Sequence, residues 1–278
     1  MTSVEDDRAV IRRHSKSFAL AARLLPPVER RRAESLYAWC RAADDAVDHA
    51  PTAAAAADAL DRLRDELDAV YEGGPVTGAA ASLRAVVAEC GLPRAYPLAM
   101  LDGFAMDAAG TRYRTADELL VYCHRVAGVV GLMMCHAFGV TDPEALSRAD
   151  ALGRSMQLVN VARDVAEDWA RGRLYLPAEW LPAAPRPGEP LDDGAFAPAV
   201  RRALELAGEL HRRGVGGLKY LPPRCRFAVH VAALVYAEIG REVARRGCRV
   251  SASRAVVPRW RKAWLVVRAT VTPARVAR

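Results

Sequence analysis

The chain has 278 residues, about half of them apolar and 6% aromatic, with a formal net charge of +7. That length can bury one large core or two small ones, and with no linker-like stretch it predicts a single domain over residues 1–278. The charge suits an anionic partner without choosing among nucleic acid, an acidic membrane and a phosphorylated small molecule, while six scattered cysteines lacking any C-x-x-C pair indicate neither a disulfide framework nor a zinc ribbon and read as buried free thiols.

Alanine, leucine, arginine and glutamate dominate, and the valine clusters sit among helix formers rather than in a period of two, so the fold class expected is all-α. The opening residues, MTSVEDDRAVIRRHSKSF, are charged throughout and lack the apolar core of a signal peptide, which predicts a cytoplasmic protein. A first helix is expected near residues 4–14, then a loop from His14 to Phe18 and a stop at Pro26 and Pro27. The next helix runs from about Val28 to His49. Thr52 caps one that ends near Tyr71 before Gly73, and another covers about Ala79 to Cys90. Pro93 opens a helix, and Thr115 with Glu118 forms a capping box starting one that reaches about Gly139. Its most apolar part, Val126 to Val140, is interrupted by His136 and reads as too short to cross about 30 Å of hydrocarbon. Asp142 and Pro143 start a long helix to about Ala170, ended by Gly172. A proline-rich loop from Pro177 to Pro190 follows. Helices resume near Asp192, are broken at Gly214–Gly217 and Pro222–Pro223, and finish with a short one around Trp260 to Arg268.

Two of these helices carry chemistry when projected at about 100° per residue. On the helix from Val28, the residues Ala33, Leu36, Cys40, Ala43 and Val47 form an apolar stripe. Beside it, Tyr37, Arg41, Asp44 and Asp48 recur at steps of four, three and four. Like charges four apart weaken a helix by about 0.2–0.5 kcal/mol, so Asp44 and Asp48 do not serve helix stability, and a cation between them would relieve the repulsion. On the helix from Pro143, Gln157, Asn160, Asp164 and Asp168 fall at steps of three, four and four, with Gly153 on the same arc leaving room for close approach. A polar stripe flanked by Met156, Leu158, Val159 and Val165 belongs to a cavity wall, and the two stripes are expected to face each other. Asp61 and Asp65 are a decoy at the same spacing: Arg62 and Arg64 surround them, and Leu60, Leu63, Leu67 and Val70 hold the other side.

Mg²⁺ prefers oxygen ligands and is typically held by one or two carboxylates together with phosphate oxygens, so facing aspartate pairs suit a diphosphate clamped through metal ions. Metal-assisted departure of an allylic diphosphate would leave a carbocation, which an apolar cavity shields from water. Phe18, Tyr37, Tyr122 and Tyr236 are candidates to stabilise it through their ring faces.

The segments His14–Phe18 (HSKSF), Leu36–Asp48 (LYAWCRAADDAVD), Tyr122–Gly131 (YCHRVAGVVG) and Gln157–Asp168 (QLVNVARDVAED) resemble the squalene/phytoene synthase family, bacterial phytoene synthases in particular. Asp102–Asp107 (DGFAMD), Gly172–Pro177 (GRLYLP), Tyr236 and Arg254 extend the resemblance over nearly the whole chain. It implies an isoprenoid synthase-type helical bundle around a central apolar cavity. It also implies Mg²⁺-dependent head-to-head condensation of two geranylgeranyl diphosphates to phytoene, through a cyclopropyl diphosphate, in carotenoid biosynthesis. On that reading Asp44, Asp48, Asp164 and Asp168 hold Mg²⁺, or Mn²⁺ in its place, with Asn160 and Gln157 supporting the second site. Arg41, Arg163 and Arg254 contact diphosphate, Arg163 from the edge of its stripe. Ser15, Ser17 and Tyr236 do so near the entrance flap, and Tyr122 and Tyr175 resemble family pocket residues.

The alternative within the family is a squalene-type or presqualene diphosphate-forming enzyme acting on farnesyl diphosphate, with or without NADPH; the first reading needs no NADPH. A third reading, a non-catalytic basic module docking on membranes, predicts Lys and Arg gathered on one helix face, whereas the basic residues here read as dispersed. Zinc at Cys123–His124 or Cys135–His136 is disfavoured because adjacent side chains on a helix diverge. Prenyl diphosphates are the expected partners, with peripheral membrane contact and no nucleic acid. Oligomeric state is not readable.

Overall fold

The computed structural model describes Asp7 and residues 16–183, 185, 186, 188–251 and 253–271, and the regular structure among them is helical throughout. In chain order the α-helices are α1 (Lys16–Leu24), α2 (Pro27–Asp48), α3 (Ala53–Glu72), α4 (Gly78–Cys90), α5 (Ala95–Ala108), α6 (Ala116–Cys123), α7 (Val129–Ala137), α8 (Pro143–Ala170), α9 (Asp193–Val215), α10 (Pro223–Arg245) and α11 (Arg259–Val271). A π-helical turn, His124–Gly128, joins α6 to α7, and short 3₁₀ segments lie at Ala178–Trp180 and Gly216–Tyr220.

The ends follow the local chemistry. Thr52, Asp142 and Asp192 each accept a hydrogen bond from the backbone N–H three residues on, which satisfies a donor that the first helical turn leaves open. Thr115 does the same for Glu118, but the Glu118 carboxylate reaches the N–H and guanidinium of Arg114, so the cap is wider than a simple box. Gly172 turns the chain after α8 at φ 78, a conformation that costs glycine nothing.

The helix expected over residues 4–14 lies outside the described residues apart from Asp7, which is helical, buried and accepts a hydrogen bond from Ser35. The loop expected from His14 to Phe18 is corrected at its end: Lys16, Ser17 and Phe18 already belong to α1. The apolar faces of Ala21, Ala22 and Leu25 supply the reason, because they are buried against the bundle.

Two apolar cores form. One gathers Leu36, Trp39, Leu67, Leu83, Met100, Leu101 and Met133 from α2 to α5 and α7. The other gathers Leu158, Val161, Ala199, Ala203, Val235 and Leu265 from α8 to α11. Each fully buried leucine contributes roughly 1.5–3 kcal/mol. Helix α8, 28 residues long, stands between them and is approached closely by its neighbours. A Cβ on Gly153 would lie 2.3 Å from the carbonyl oxygen of Ala127, one on Gly131 2.5 Å from that of Ala149, and one on Gly214 2.6 Å from Leu152 Cβ. Glycine at these places lets α7, the π turn and α9 seat against α8 almost backbone to backbone.

The helix through Ala116–Ala137 is continuous for 22 residues and its most apolar 18-residue window has mean hydropathy 1.4, long and apolar enough to cross a bilayer by length and composition. This corrects the shorter apolar run read between Val126 and Val140. Half of that helix's most apolar window is buried inside the bundle: Val129 and Met133 are core residues, and Val126, Val130 and Met134 line the cavity described next. Cys123–His124 and Cys135–His136 do not converge, since His124 bonds Asp150 at 2.6 Å and His136 packs on Tyr96.

Candidate active site

A cavity of about 420 Å³ runs between the two cores, within the range of roughly 300–1,000 Å³ usual for ligand pockets. Its body is apolar: Phe18, Ala22, Leu25, Met100, Phe104, Val130, Phe138, Met156 and Leu221 all line it. Its polar residues come from the two stripes, with Tyr37, Arg41 and Asp44 from α2 and Gln157 and Asn160 from α8, joined by Asp107, Tyr122 and Tyr236.

The stripe on α2 is held by its own arginine. Arg41 Nη1 lies 3.0 Å from Asp44, and the same guanidinium also grips Asp45 through Nε at 3.0 Å. Burial, and then the charge of Asp48, push the Asp44 carboxyl up to about 6. Asp48, at the end of the helix, receives both terminal nitrogens of Arg173 from the loop after α8, the nearer at 2.7 Å. The Tyr37 hydroxyl is pushed up to about 12 by burial. Its ring stands 5.9 Å from that of Phe18, which in turn lies 6.1 Å from Tyr236.

On α8, the Asn160 amide donates to Gln157 at 3.2 Å. Asp164 is gripped by two arginines: Arg163 through Nε at 2.6 Å and Arg254 through Nε at 2.9 Å. Burial works against this carboxylate, yet the two guanidiniums hold it below the ordinary range. One turn further, burial and the charge of Asp164 push Asp168 up to about 7.

Between the stripes lies Asp107, from α5. It accepts the hydroxyls of Tyr122 at 2.9 Å and Tyr175 at 2.7 Å, and burial raises its pKa in spite of them. Its charge is felt by Asp44 on one side and by Asp168 on the other, and Arg173 is drawn both to Asp48 and to Asp107. Five carboxylates therefore share one electrostatic neighbourhood. Three of them, Asp44, Asp107 and Asp168, sit at raised pKa, first because they are buried and then because neighbouring carboxylates repel their charge.

This neighbourhood fits a divalent cation of hard character. All its charged donors are carboxylate oxygens, and their mutual repulsion is what a cation would relieve. Among the described residues no three acidic, histidine or cysteine side chains converge tightly enough to hold a metal ion by themselves. The decoy pair behaves otherwise: Asp61 is three-quarters exposed on Arg64, and Asp65 is exposed too.

A family model described as squalene/phytoene synthase matches residues 11–261 of the chain. The chain belongs to the squalene/phytoene synthase family. It is 42% identical to a phytoene synthase of Cereibacter sphaeroides over 95% of its own length and 78% of the relative's. It is 41% identical to a 15-cis-phytoene synthase of a Paracoccus species over 92% of its length and 87% of the relative's. Among solved structures it resembles a dehydrosqualene synthase crystallised with ligand, at TM-score 0.87 and 27% identity, covering 96% of this chain and 95% of that one. The fold is accordingly the isoprenoid synthase-type bundle expected from sequence, and the chain is a prenyltransferase of this family.

The family's motifs fall around the cavity, with departures from the sequence reading. Ser15 lies outside the described residues. Ser17 is in α1, and only its backbone is described. Tyr175, expected to touch substrate, is instead set behind Tyr122, whose ring it stacks on at 4.9 Å, and it does not line the cavity. Arg254, expected to contact diphosphate, is bonded directly to Asp164. Asp107 and Arg173 lie inside the family segments with no role legible from sequence, and the structure joins both to the carboxylate cluster. Gly103, one turn before Asp107, lies on an interior face of the helix, where a Cβ would come 2.7 Å from Val126.

Proposed function

We propose that this chain is a phytoene synthase, joining two geranylgeranyl diphosphates head to head through a cyclopropyl diphosphate in carotenoid biosynthesis. The observation that carries the proposal is an apolar cavity with Asp44 and Asp107 in its wall, beside which burial and neighbouring carboxylates hold Asp44 and Asp168 at raised pKa on two different helices. Support comes from the phytoene synthases of Cereibacter sphaeroides and a Paracoccus species, to which the chain is 42% and 41% identical.

Asp44, Asp48, Asp164 and Asp168 would hold Mg²⁺, with Asn160 and Gln157 beside the second pair. When bound there, the metal stabilises negative charge developing on a departing diphosphate. The chain's own residues supply the rest. Arg41, Arg163 and Arg254 are positioned to exchange carboxylate oxygens for phosphate oxygens, which a planar guanidinium binds in the same forked geometry. The cavity wall keeps water from an allylic cation. Phe18, Tyr37 and Tyr236 turn ring faces and edges toward one another at the cavity, where the faces attract a cation. Asp107 fixes the Tyr122 hydroxyl, so that side chain enters the reaction in one orientation. We read the chain as one domain that works in the cytoplasm at a membrane face, because substrate tails and product both partition into lipid.

A squalene-type reaction on farnesyl diphosphate is the second reading, favoured by the likeness to the solved dehydrosqualene synthase. The deciding experiment incubates purified protein with Mg²⁺ and either geranylgeranyl or farnesyl diphosphate, with and without NADPH, and identifies the lipid product. Phytoene from the longer substrate without NADPH is the expected result. A cyclopropyl diphosphate, squalene or dehydrosqualene formed from farnesyl diphosphate alone would replace the proposal with the second reading.

A further inference from the structure

Helix α11 carries its apolar pattern inside out. Trp260, Ala263, Trp264, Val267 and Val271 follow the spacing i, i+3, i+4, i+7, i+11 that ordinarily faces a core, yet all are exposed, Trp260 by 69% and Val271 by 74%. The helix is anchored instead by Leu265 and Ala269, which are buried, and by Arg261, which reaches Glu238 on α10 at 2.8 Å. Arginines flank the exposed stripe and lie over its indoles, Arg261 on Trp260 and Arg268 on Trp264. From Val243 to Arg278 the sequence has ten Arg or Lys and no Asp or Glu. The basic residues, dispersed when the chain is read as a whole, are therefore concentrated here.

We propose that α11 is the surface by which this protein seats on an anionic lipid membrane, with Trp260 and Trp264 in the interface and the flanking arginines on lipid phosphates. Indole is amphipathic and settles at the boundary between headgroups and acyl chains, while cationic neighbours add attraction to anionic lipid. Charge argues against the rival occupant, a second copy of this chain, because two such faces would bring like charges together. The position is also suited to a lipid substrate. Arg254, bonded to Asp164 at the active site, is separated from the start of α11 by four residues, of which Ala255 and Val257 are buried and pin the link. The choice of a lipid surface rests on the reading of the substrate as a prenyl diphosphate; the binding assay does not.

The test is co-sedimentation of the full chain, without substrate, with vesicles of phosphatidylcholine alone or mixed with phosphatidylglycerol. The parent should bind the mixed vesicles, release with added salt and show a blue shift in tryptophan emission. Trp260→Ser combined with Trp264→Ser should weaken partition by about tenfold or more while activity on detergent-dispersed substrate is unchanged. Arg259→Glu, at an exposed residue, should weaken binding to mixed vesicles alone, and it decides the matter if the double variant misfolds. Equal binding by parent and variants would overturn the proposal. So would a parent dimer in ultracentrifugation that the double variant dissociates without any change in vesicle binding. Loss of binding with phytoene still formed would remove this surface and leave the catalytic proposal standing; binding without any product would do the reverse.

Discussion

Arg254 donates through Nε to Oδ1 of Asp164 at 2.9 Å and through Nη2 to Oδ2 at 3.2 Å, a two-point pair between residues 90 apart in the chain. Its guanidinium is half exposed, so the pair adds only about 0–1 kcal/mol to stability. If it exists for substrate, Arg254→Lys should leave the melting temperature nearly unchanged while raising KM more than it lowers kcat, since a lysine cannot present two parallel donors. Steady-state kinetics with differential scanning fluorimetry checks this. A lowered melting temperature with unaltered KM would make the arginine a strap only.

The carboxylate cluster sets a pH dependence whose sign can be worked out. Asp44 and Asp168 titrate near 6 and 7 in the folded chain and near 3.9 when unfolded, so over the interval between, the folded state holds more protons. Stability of the metal-free protein should therefore fall as pH rises through that window. Asp164, depressed by its arginines, acts oppositely and only at lower pH, where its protonation costs stability. Melting of chelator-treated protein between about pH 5 and 7.5 reads the slope, and Asp168→Asn should flatten it and raise the melting temperature at the upper end.

Tyr175 and Tyr122 both donate to Asp107, yet only Tyr122 lines the cavity. Removing either hydroxyl breaks a bond to a charged group, which costs about 1.5–3 kcal/mol. Tyr175→Phe and Tyr122→Phe should therefore lose comparable stability in urea titrations, and turnover should fall further in the second. Equal turnover in both would deny Tyr122 any role at the reacting atoms.

Gly153 fixes how closely α8 lies to the π turn. A Cβ there meets the Ala127 oxygen at 2.3 Å and Gly128 Cα at 2.9 Å, both backbone atoms that cannot swing aside. Gly153→Ala should cost about 1–3 kcal/mol and lower activity with it, because Asn160 and Asp164 ride on the same helix. Gly208→Ala on α9 has only the tip of Arg212 within 4 Å and should stabilise by about 0.4–1 kcal/mol. Thermal melts of the pair check the opposite signs.

Much of this arrangement was legible in the chain because it is written in local periods. Tyr37, Arg41 and Asp44 on one helix and Gln157 and Asn160 on the other line the cavity, with Asp48, Asp164 and Asp168 further along the same stripes, as a 3.6-residue repeat requires, and the caps at Thr52, Asp142 and Asp192 follow from side chains beside their own helix starts. What escaped depended on distant partners. Asp107 lies five residues after Asp102 rather than four and so enters no acidic pair along its helix; only the tyrosines brought to it by α6 and the loop at Tyr175 reveal it. The π turn at His124–Gly128 has no composition of its own and arises where Gly128 and Asp150 are pressed together. The start of α1 was hidden by the polar run before Phe18, and the burial of Ala22 and Leu25 overrides it.

On the proposed reading, the aspartates of α2 and α8 hold a diphosphate through divalent ions. Calorimetric titration with a non-reactive geranylgeranyl thiodiphosphate in the presence of Mg²⁺ tests it most directly. Binding should appear in the parent and in Asp61→Asn, disappear with a chelator, and be lost in Asp48→Asn and in Asp164→Asn while circular dichroism shows both variants still helical. Equal affinity in all four proteins, or affinity indifferent to the chelator, would contradict it.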